Sequence, residues 1–222
     1  MVDDKTHFIG FIPPLEITRV VESDRKWSEK YGCRSGHSTP VHVTLVPPFA
    51  SDKSTDEITD ILKGILPLLS PFTSKVDGYG SFGNRTIFLR VEPSIDWDNL
   101  SKTISKGLKA MGESVKVENK PLVPHLTVAN RDIPPERFSF LLSSLSSHNF
   151  SSSFTVDSVA VFHRVGRGWR INEEDITQQV QKLYTEVSLD TSMWCRKTDQ
   201  EALPLPCASS SRCVSRRPYR CL

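Results

Sequence analysis

The sequence predicts an α+β protein in which one arrangement of helices and strands occurs twice. The chain has 222 residues, of which 37% are hydrophobic and 24% are charged, and this composition is typical of a globular protein. Helical and strand-like hydrophobic patterns follow one another along residues 7–171, and their order is the same in both halves. That order is helix, short strand, helix, strand, strand, which differs from the βαβ rhythm of a dinucleotide-binding sheet and favours a duplicated α+β lobe.

The first half opens with a strand at residues 7–12, which stops at two prolines. Apolar residues at helical spacing then predict a helix that ends at Gly32. They are Ile17, Val20, Val21, Trp27 and Tyr31. A short strand is predicted at 41–46, followed by a helix behind the capping box of Ser54 and Glu57. Strands at 72–80 and 86–91, joined by a Gly-Asn turn, complete this half.

The second half repeats that order. A helical stripe ends at Gly112 and consists of Trp97, Leu100, Ile104, Leu108 and Met111. A short strand at 123–129 comes next, and Asp132 with two prolines then opens a helix. A serine-rich segment at 143–153 predicts a loop, and the last two strands are expected at 154–163 and 168–171.

The two short strands carry the same polar pair at equivalent places. The first contains His42 and Thr44, and the second contains His125 and Thr127. Residues i and i+2 of a strand point to the same face, so each histidine shares a face with its threonine. The alternating residues are apolar and suit the opposite, covered face: Val43, Leu45, Leu126 and Val128. Approximate two-fold symmetry would bring the two polar faces together across one cleft.

Two imidazoles and two hydroxyls around one small group suit transfer at a phosphorus atom. A neutral imidazole can take a proton from water, and a protonated one can give a proton to the departing ribose oxygen, since the pKa of histidine lies near neutral pH. The threonine hydroxyls can donate to the non-bridging oxygens. This chemistry requires neither a metal nor a cofactor, and the sequence has no carboxylate cluster of the kind that holds one.

A single His-x-Thr string is a weak signal, because most isolated copies lie on a solvated strand face. A third copy begins at His37, but it lies in a loop of Gly, Ser and Pro and has a polar middle residue. The other two copies each come after a proline, have an apolar middle residue, and lie at matching places in the duplicated layout. That combination favours a functional pair.

The two strings, HVTLVPPF and PHLTVANR, have histidines 83 residues apart. With this spacing the sequence resembles the 2H phosphoesterase superfamily, the LigT or 2′,5′ RNA ligase group, with motifs of the YjcG type. The resemblance extends over residues 7–176 and leaves out the tail. It implies a bilobal, pseudo-two-fold α+β fold, with two antiparallel sheets that line a central cleft and helices outside.

The resemblance also implies an activity. It points to metal-independent hydrolysis of a 2′,3′-cyclic phosphate, or of related cyclic or 2′,5′-linked phosphodiesters of nucleotides or RNA ends. By motif match, His42 and His125 are the catalytic pair, and Thr44 and Thr127 bind the phosphate. We favour His42 as general acid and His125 as general base, with the reverse assignment left open. The alternative is a non-catalytic module that holds a nucleotide or RNA end in the same cleft.

Two positions depart from the family pattern. LigT-type members often carry an arginine five residues after the second histidine, where this chain has Asn130, and Arg131 follows one position later. A one-residue slip along a strand changes the face, so Arg131 is a candidate substrate-binding residue whose face is open. Phe49, behind two prolines, is a candidate for stacking on a base, and packing in the core is the equal alternative.

Other polar residues carry weaker signals. Arg164, Arg167 and Arg170 follow His163 near the end of the predicted strands, where they form either a solvated hairpin end or a basic rim of the cleft. Cys33 is a lone cysteine beside a helix end, with no base placed near it by the sequence, so a nucleophilic role is not expected.

Charge and cysteine content divide the chain at residue 184. Residues 1–184 hold 22 basic and 22 acidic side chains, whereas residues 185–222 hold the whole net charge of +2 and four of the five cysteines. We expect a phosphoesterase-like domain at 1–184 and a poorly ordered tail at 185–222 whose partner is not predicted. The near-neutral charge argues against a histone-like nucleic-acid binder. Without a signal peptide or a membrane span, a monomeric cytoplasmic protein is expected, with the nucleus as an alternative.

Overall fold

The structure, a computed structural model, describes residues 5–171, so the predicted tail at 185–222 lies outside the described residues. The strands are β1 (His7–Phe11), β2 (Val43–Phe49), β3 (Phe72–Phe82), β4 (Thr86–Val91), β5 (His125–Asn130), β6 (Ser151–Val156), β7 (Ala160–Val165) and β8 (Gly168–Arg170). The α-helices are α1 (Leu15–Glu29), α2 (Thr55–Ile65), α3 (Ile95–Ala110) and α4 (Phe138–Ser146). Short 3₁₀ turns lie at Ser35–Ser38, Leu66–Leu68 and Pro135–Arg137.

The strands form two four-stranded antiparallel sheets. The first has the order β2-β1-β7-β8 and the second has the order β5-β4-β3-β6. The repeated unit is strand–helix–strand–helix, which runs as β1-α1-β2-α2 and again as β4-α3-β5-α4, so the duplication begins at a strand rather than at a helix. In each copy the two strands pair antiparallel, and the second strand of the copy lies at the edge of its sheet. The predicted α+β class with two antiparallel sheets is therefore confirmed.

The prediction of one strand over residues 154–163 is wrong. The segment contains two strands in different sheets: β6 ends at Val156 and pairs with β3, whereas β7 begins at Ala160 and pairs with β1. Both pieces show the apolar alternation of a strand, and a hydrophobic pattern does not record where the chain crosses from one sheet to the other. The serine-rich segment 143–153 was expected to end in a loop. It ends instead in β6, which starts at Ser151, and the loop is confined to the residues between Ser146 of α4 and that strand.

Strand β2 continues through the two prolines that were expected to end it. The pairing of β1 with β2 shifts register between Val46 and Phe49, which places Pro47 and Pro48 at an irregular stretch of an edge strand. Proline lacks the N–H of a ladder bond, and an edge strand at a bulge tolerates that loss. His42 lies immediately before the first residue of β2.

The main core lies between the sheets and the helices, and helices of one half pack on strands of the other. Helix α1 packs against β5, and α3 packs against β2. Trp97 of α3 is fully buried, and its Nε1–H donates to Ser74 Oγ at 2.9 Å. A second, smaller cluster contains Phe8 and Phe162 and lies on the other face of the first sheet. We call the face of each sheet that points away from the main core its cleft face.

The buried stripe of α1 differs from the predicted one. The buried residues are Ile17, Val21, Asp24, Arg25 and Ser28, so two charged residues occupy the apolar face. Trp27 and Tyr31, predicted in the stripe, are only partly buried and contact the exposed Phe140 of α4.

The turn at Ser35–Ser38 packs tightly on β5 and leads the chain toward His42. The Asp132 side chain accepts hydrogen bonds from the backbone N–H groups of Arg34 and Ser35, at 2.5 and 2.7 Å. A Cβ atom at Gly36 would lie 2.6 Å from the backbone oxygen of Val128, so only glycine fits at this contact.

We expect Gly36→Ala to destabilise the protein by about 1–3 kcal/mol, because the added methyl group must displace backbone of β5. Urea unfolding followed by circular dichroism measures the change. Gly64→Ala is the matched control, since Gly64 lies in α2 with open space around its Cα, and alanine there should stabilise the helix by about 1 kcal/mol. Equal effects of the two substitutions would contradict the close approach at Gly36.

Candidate active site

His42 is held by two hydrogen bonds at the edge of the first sheet. Its Nδ1 lies 2.7 Å from the backbone oxygen of Pro40, and its Nε2 lies 3.1 Å from Thr44 Oγ1. A carbonyl oxygen only accepts, so the neutral ring carries its proton on Nδ1, and the Thr44 hydroxyl donates to Nε2. Thr44 stands opposite Gly10 of β1, where a Cβ atom would lie 3.0 Å from a Phe162 ring carbon and from the backbone oxygen of Val43.

His125 repeats the Nδ1 contact of His42 in the second sheet, without the bond from Nε2 to the threonine of its motif among the hydrogen bonds described. Its Nδ1 lies 2.7 Å from the backbone oxygen of Val123, again the residue two positions earlier. The same tautomer follows, with the Nε2 lone pair directed away from the backbone. In the pairing of β4 with β5, His125 lies opposite Arg90 and Thr127 lies opposite Phe88. The two motifs thus present equivalent atoms from equivalent edge strands.

Each imidazole also contacts a pair of phenylalanine rings. The ring of His42 lies 4.8 Å from Phe8 and 5.0 Å from Phe162, measured between ring centroids, and those two phenyl rings stack at 4.2 Å. In the second sheet, the ring of His125 lies 4.9 Å from Phe82 and 5.2 Å from Phe88. These aromatic pairs fix the orientation of the imidazoles and remove water from one side of each ring.

The two motifs approach each other because β2 and β5, the edge strands of different sheets, lie close together. Arg25 of α1 connects them: its Nη1 donates to the backbone oxygen of Thr39 at 2.8 Å, and its Nε and Nη2 donate to that of Thr127 at 3.0 and 2.9 Å. The adjacent Asp24 accepts a 2.5 Å hydrogen bond from the hydroxyl of Tyr79 in β3. Helix α1 is therefore anchored at both motif segments and at the second sheet.

The environment favours neutral imidazoles. Burial lowers the pKa of His42 to about 4, and the positive charges of Arg25 and of protonated His125 act in the same direction, against the Pro40 carbonyl. Burial also lowers the pKa of His125, while its hydrogen bond to the Val123 carbonyl opposes that shift. Positive charge on His125 therefore disfavours protonation of His42.

The structure resolves the position of Phe49, which packs in the main core with 4% of its surface exposed. Its ring lies 6.1 Å from that of His7, with which it pairs across β1 and β2. Packing, rather than stacking on a base, is the alternative that this burial supports. Exposed aromatic surface in the cleft comes instead from Phe82, which is 42% exposed.

A β-bulge decides the place of Arg131. Asn130 pairs with Thr86 and Thr127 pairs with Phe88, so β5 has one more residue than β4 over this stretch. The extra residue brings Asn130 to the cleft face, where the Thr86 hydroxyl donates to Asn130 Oδ1 at 2.9 Å. Arg131 follows with a φ of 68°, and its N–H donates to the Arg85 backbone oxygen at 2.7 Å, at the start of a loop. The structure therefore places Asn130 beside the motif residues on this face, and Arg131 beyond the strand.

Other sites in the described part of the chain contribute little chemistry. Cys33 is buried with its thiol pKa raised to about 11 by burial and by Asp132, which disfavours a thiolate. Within residues 5–171, no three His, Cys, Asp or Glu side chains come together as a metal site, and no helix there is long and apolar enough to cross a membrane. A cavity of about 860 Å³ is lined by residues such as Lys63, Asp96 and Asp157 and by none of the four motif residues.

Sequence reasoning did not identify the residues that hold the motifs. Asp24 and Arg25 lie at helical spacing on the buried stripe of α1. Charged residues within an apolar stripe were the sequence signal that could have identified them as buried and paired. The phenylalanine pairs had no comparable signal, because an aromatic residue in a strand has the same pattern on either face of a sheet.

The profile of the 2′-5′ RNA ligase superfamily matches residues 13–168. The chain belongs to this superfamily. The match spans both His-x-Thr motifs and most of the described residues, and the sequence-based assignment to the 2H phosphoesterases is thereby confirmed. Among curated proteins, no sequence matches the chain.

Several solved structures are similar to this chain. E. coli LigT complexed with 3′-AMP is 17% identical, with 76% of this chain and 94% of that chain covered and a TM-score of 0.48. The MHV ns2 PDE domain is 16% identical, with coverage of 75% and 97% and a TM-score of 0.43. Usb1 from Kluyveromyces marxianus is 12% identical, with coverage of 77% and 99% and a TM-score of 0.41.

The lowered pKa of His42 gives a pH dependence of stability. Between the unfolded value near 6.5 and the folded value of about 4, the unfolded chain binds a proton that the folded chain does not, so stability falls as the pH falls through this window. We expect a loss of roughly 3 kcal/mol from this group, and His42→Gln should lack it. Urea unfolding at pH 4, 5, 6 and 7 measures both profiles, and parallel profiles would contradict the buried, neutral imidazole.

Proposed function

We propose that this superfamily member is a phosphodiesterase that hydrolyses 2′,3′-cyclic phosphates, or related cyclic or 2′,5′-linked phosphodiesters of nucleotides or RNA ends. The observation that carries the proposal is the matched pair of imidazoles: each is fixed through Nδ1 by a backbone carbonyl, each belongs to a His-x-Thr motif, and positive charge on His125 lowers the pKa of His42. Membership of a superfamily named for RNA ligation supports catalysis at phosphodiesters and leaves the direction of reaction to experiment.

In the proposed reaction, one neutral imidazole accepts a proton from water through Nε2 as the water oxygen forms a bond to phosphorus. The bond between phosphorus and one ribose oxygen breaks, and the protonated second imidazole gives its proton to that oxygen. The product is a phosphate monoester, and the pair ends with its protons exchanged. Once a phosphate is bound, the Thr44 hydroxyl turns from His42 Nε2 and donates to a non-bridging oxygen, as the Thr127 hydroxyl does, while charge develops there. Ligation is the same path in reverse.

Burial distinguishes the two histidines. His42 has the more strongly disfavoured cation, since burial, Arg25 and His125 all lower its pKa. A group that remains neutral suits the general base, and His125 then suits the general acid, whose cation an anionic phosphate would stabilise. This assignment reverses the preference drawn from the sequence, and a pH–rate profile of each single variant tests it.

Aromatic surfaces near the motifs offer a place for a nucleobase. Phe82, in the β3 strand, is the exposed aromatic residue that contacts a motif histidine. On the first sheet, Trp169 meets Phe8 edge-on at 4.8 Å, and the Arg164 guanidinium carbon lies 5.2 Å from the centroid of the Trp169 ring. A base stacked on Phe82 would place its ribose phosphate toward His125 and Thr127.

Hydrolysis of the four nucleoside 2′,3′-cyclic monophosphates in EDTA tests the proposal. We expect His42→Ala and His125→Ala each to lower kcat/KM by about 10²–10⁴-fold, because each removes one proton-transfer group. His37→Ala is the matched control, since it removes the histidine of the third His-x-Thr string from an exposed turn. Resolving the product as a 2′- or 3′-monophosphate identifies the leaving oxygen.

The alternative is a module that binds nucleotides or RNA ends without turnover. The double variant His42→Ala/His125→Ala separates the two: an enzyme loses hydrolysis and keeps measurable affinity for an RNA end with a terminal phosphate. If the native chain binds such an end but turns over neither it nor the cyclic mononucleotides, the binding module is the correct function. Unchanged hydrolysis in both single variants would refute the two-histidine mechanism.

For a substrate with a stacked base, Phe82→Ala should raise KM by about tenfold and leave kcat within a few-fold, because base–aromatic stacking contributes roughly 1–3 kcal/mol per base. Phe140→Ala is the control, as Phe140 is an equally exposed phenylalanine on α4. A KM that Phe82→Ala and Phe140→Ala leave equally unchanged would place the base elsewhere.

A further inference from the structure

Arg25 is a buried cation without a carboxylate partner in the hydrogen bonds described. Its side chain is on the core face of α1, and the residue is only 5% exposed. The three hydrogen bonds described for it all go to backbone carbonyls, at 2.8–3.0 Å. The adjacent carboxylate of Asp24 is engaged by the Tyr79 hydroxyl instead. Burial lowers the pKa of Arg25 to about 10, opposed by the charge of Glu22.

The two carbonyls belong to the two motif segments. Thr39 lies three residues before His42, and Thr127 is the threonine of the second motif, two residues after His125. These positions are 88 residues apart in the sequence. One rigid guanidinium group therefore joins the segment that delivers the first imidazole to the strand that carries the second.

The surroundings hold this contact tightly. A Cβ atom at Gly36 would lie 3.3 Å from Arg25 Nε and 2.6 Å from the Val128 carbonyl, so the Ser35–Ser38 turn closes over the guanidinium against β5. On the opposite half, Ser101 of α3 donates to the Leu45 backbone oxygen at 2.7 Å. That bond ties α3 to β2 alone, whereas Arg25 spans both motif segments.

We propose that Arg25 is a positioning residue, which sets the separation of the two His-x-Thr motifs by holding the Thr39 and Thr127 carbonyls on one guanidinium. Burying a cation costs free energy of desolvation. A role of Arg25 in setting the geometry of the site would explain why the fold buries it. At 5% exposure the guanidinium does not reach a substrate in the cleft, so the role is indirect. The catalytic part of this proposal rests on the proposed function, and the positioning part does not.

Kinetics of Arg25→Lys and Arg25→Met test the role. Lysine keeps the charge but lacks the planar fork that spans two carbonyls, and methionine keeps neither. We expect kcat to fall by about 10²-fold in both variants, with KM within a few-fold, because a small displacement of reacting groups costs rate rather than affinity. Arg19→Lys and Arg19→Met, on the exposed face of α1, are the matched controls and should keep native kcat.

Titration of the histidines by NMR measures the pKa of His42 in each variant and separates the effect of the Arg25 charge from that of its geometry. The charged groups that act on His42 are Arg25 and His125. Removing the charge in Arg25→Met should raise the pKa of His42, whereas Arg25→Lys should leave it closer to native. A fall of kcat in Arg25→Lys with an unchanged His42 titration would therefore show that position, and not charge, is what the arginine supplies.

The outcomes separate this proposal from the proposed function. Thermal unfolding identifies the temperatures at which each variant is folded, and all comparisons are made there. If both variants are folded and retain kcat within about threefold, the positioning role is refuted, whatever the His42 titration in Arg25→Met. If the native chain has no phosphodiesterase activity, the ring chemical shifts of His42 and His125 in Arg25→Lys, which keeps the charge, still decide the question: shifted rings support the positioning of the two motifs and native shifts refute it.

Discussion

Edge strands leave a row of backbone groups without partners in their own sheet. Here β2 and β5 are edge strands of two different sheets, and they lie close to each other at the place where the chain carries its two histidines. In the hydrogen bonds described, the guanidinium of Arg25 donates only to backbone oxygens. One is the carbonyl of Thr39, before β2, and the other is the carbonyl of Thr127, in β5. Arg25 thus links the segment before His42 to the strand of His125 through one shared anchor.

Burial of the two imidazoles also determines their protonation state. Each imidazole is wedged between aromatic rings and a backbone carbonyl, and burial disfavours its cation. The imidazoles themselves are then neutral, and their carbonyl-bound Nδ1 protons supply dipoles rather than a full charge. An anionic substrate would reverse the balance by stabilising one imidazolium, and substrate binding and protonation of the acid would then be coupled.

The duplicated unit is symmetric in its motifs and asymmetric in its supports. Both histidines use the carbonyl two residues earlier, at the same 2.7 Å distance. In contrast, α1 reaches both motif segments through Arg25, whereas α3 reaches β2 through Ser101. The first imidazole also carries the stronger burial. Two chemically identical groups thereby acquire different protonation behaviour.

The sequence by itself determined the α+β class, the duplication, the helices and the two His-x-Thr pairs, because hydrophobic period and local capping signals, such as Ser54 with Glu57, are written in neighbouring residues. It did not determine that residues 154–163 cross between sheets, that Phe49 is buried, or that an extra residue in β5 turns Asn130 to the cleft face. Nor did it show the link from Arg25 to Thr127, which joins residues about a hundred positions apart. Those features depend on contacts between distant segments, and only the tertiary structure decides which distant backbone a side chain meets.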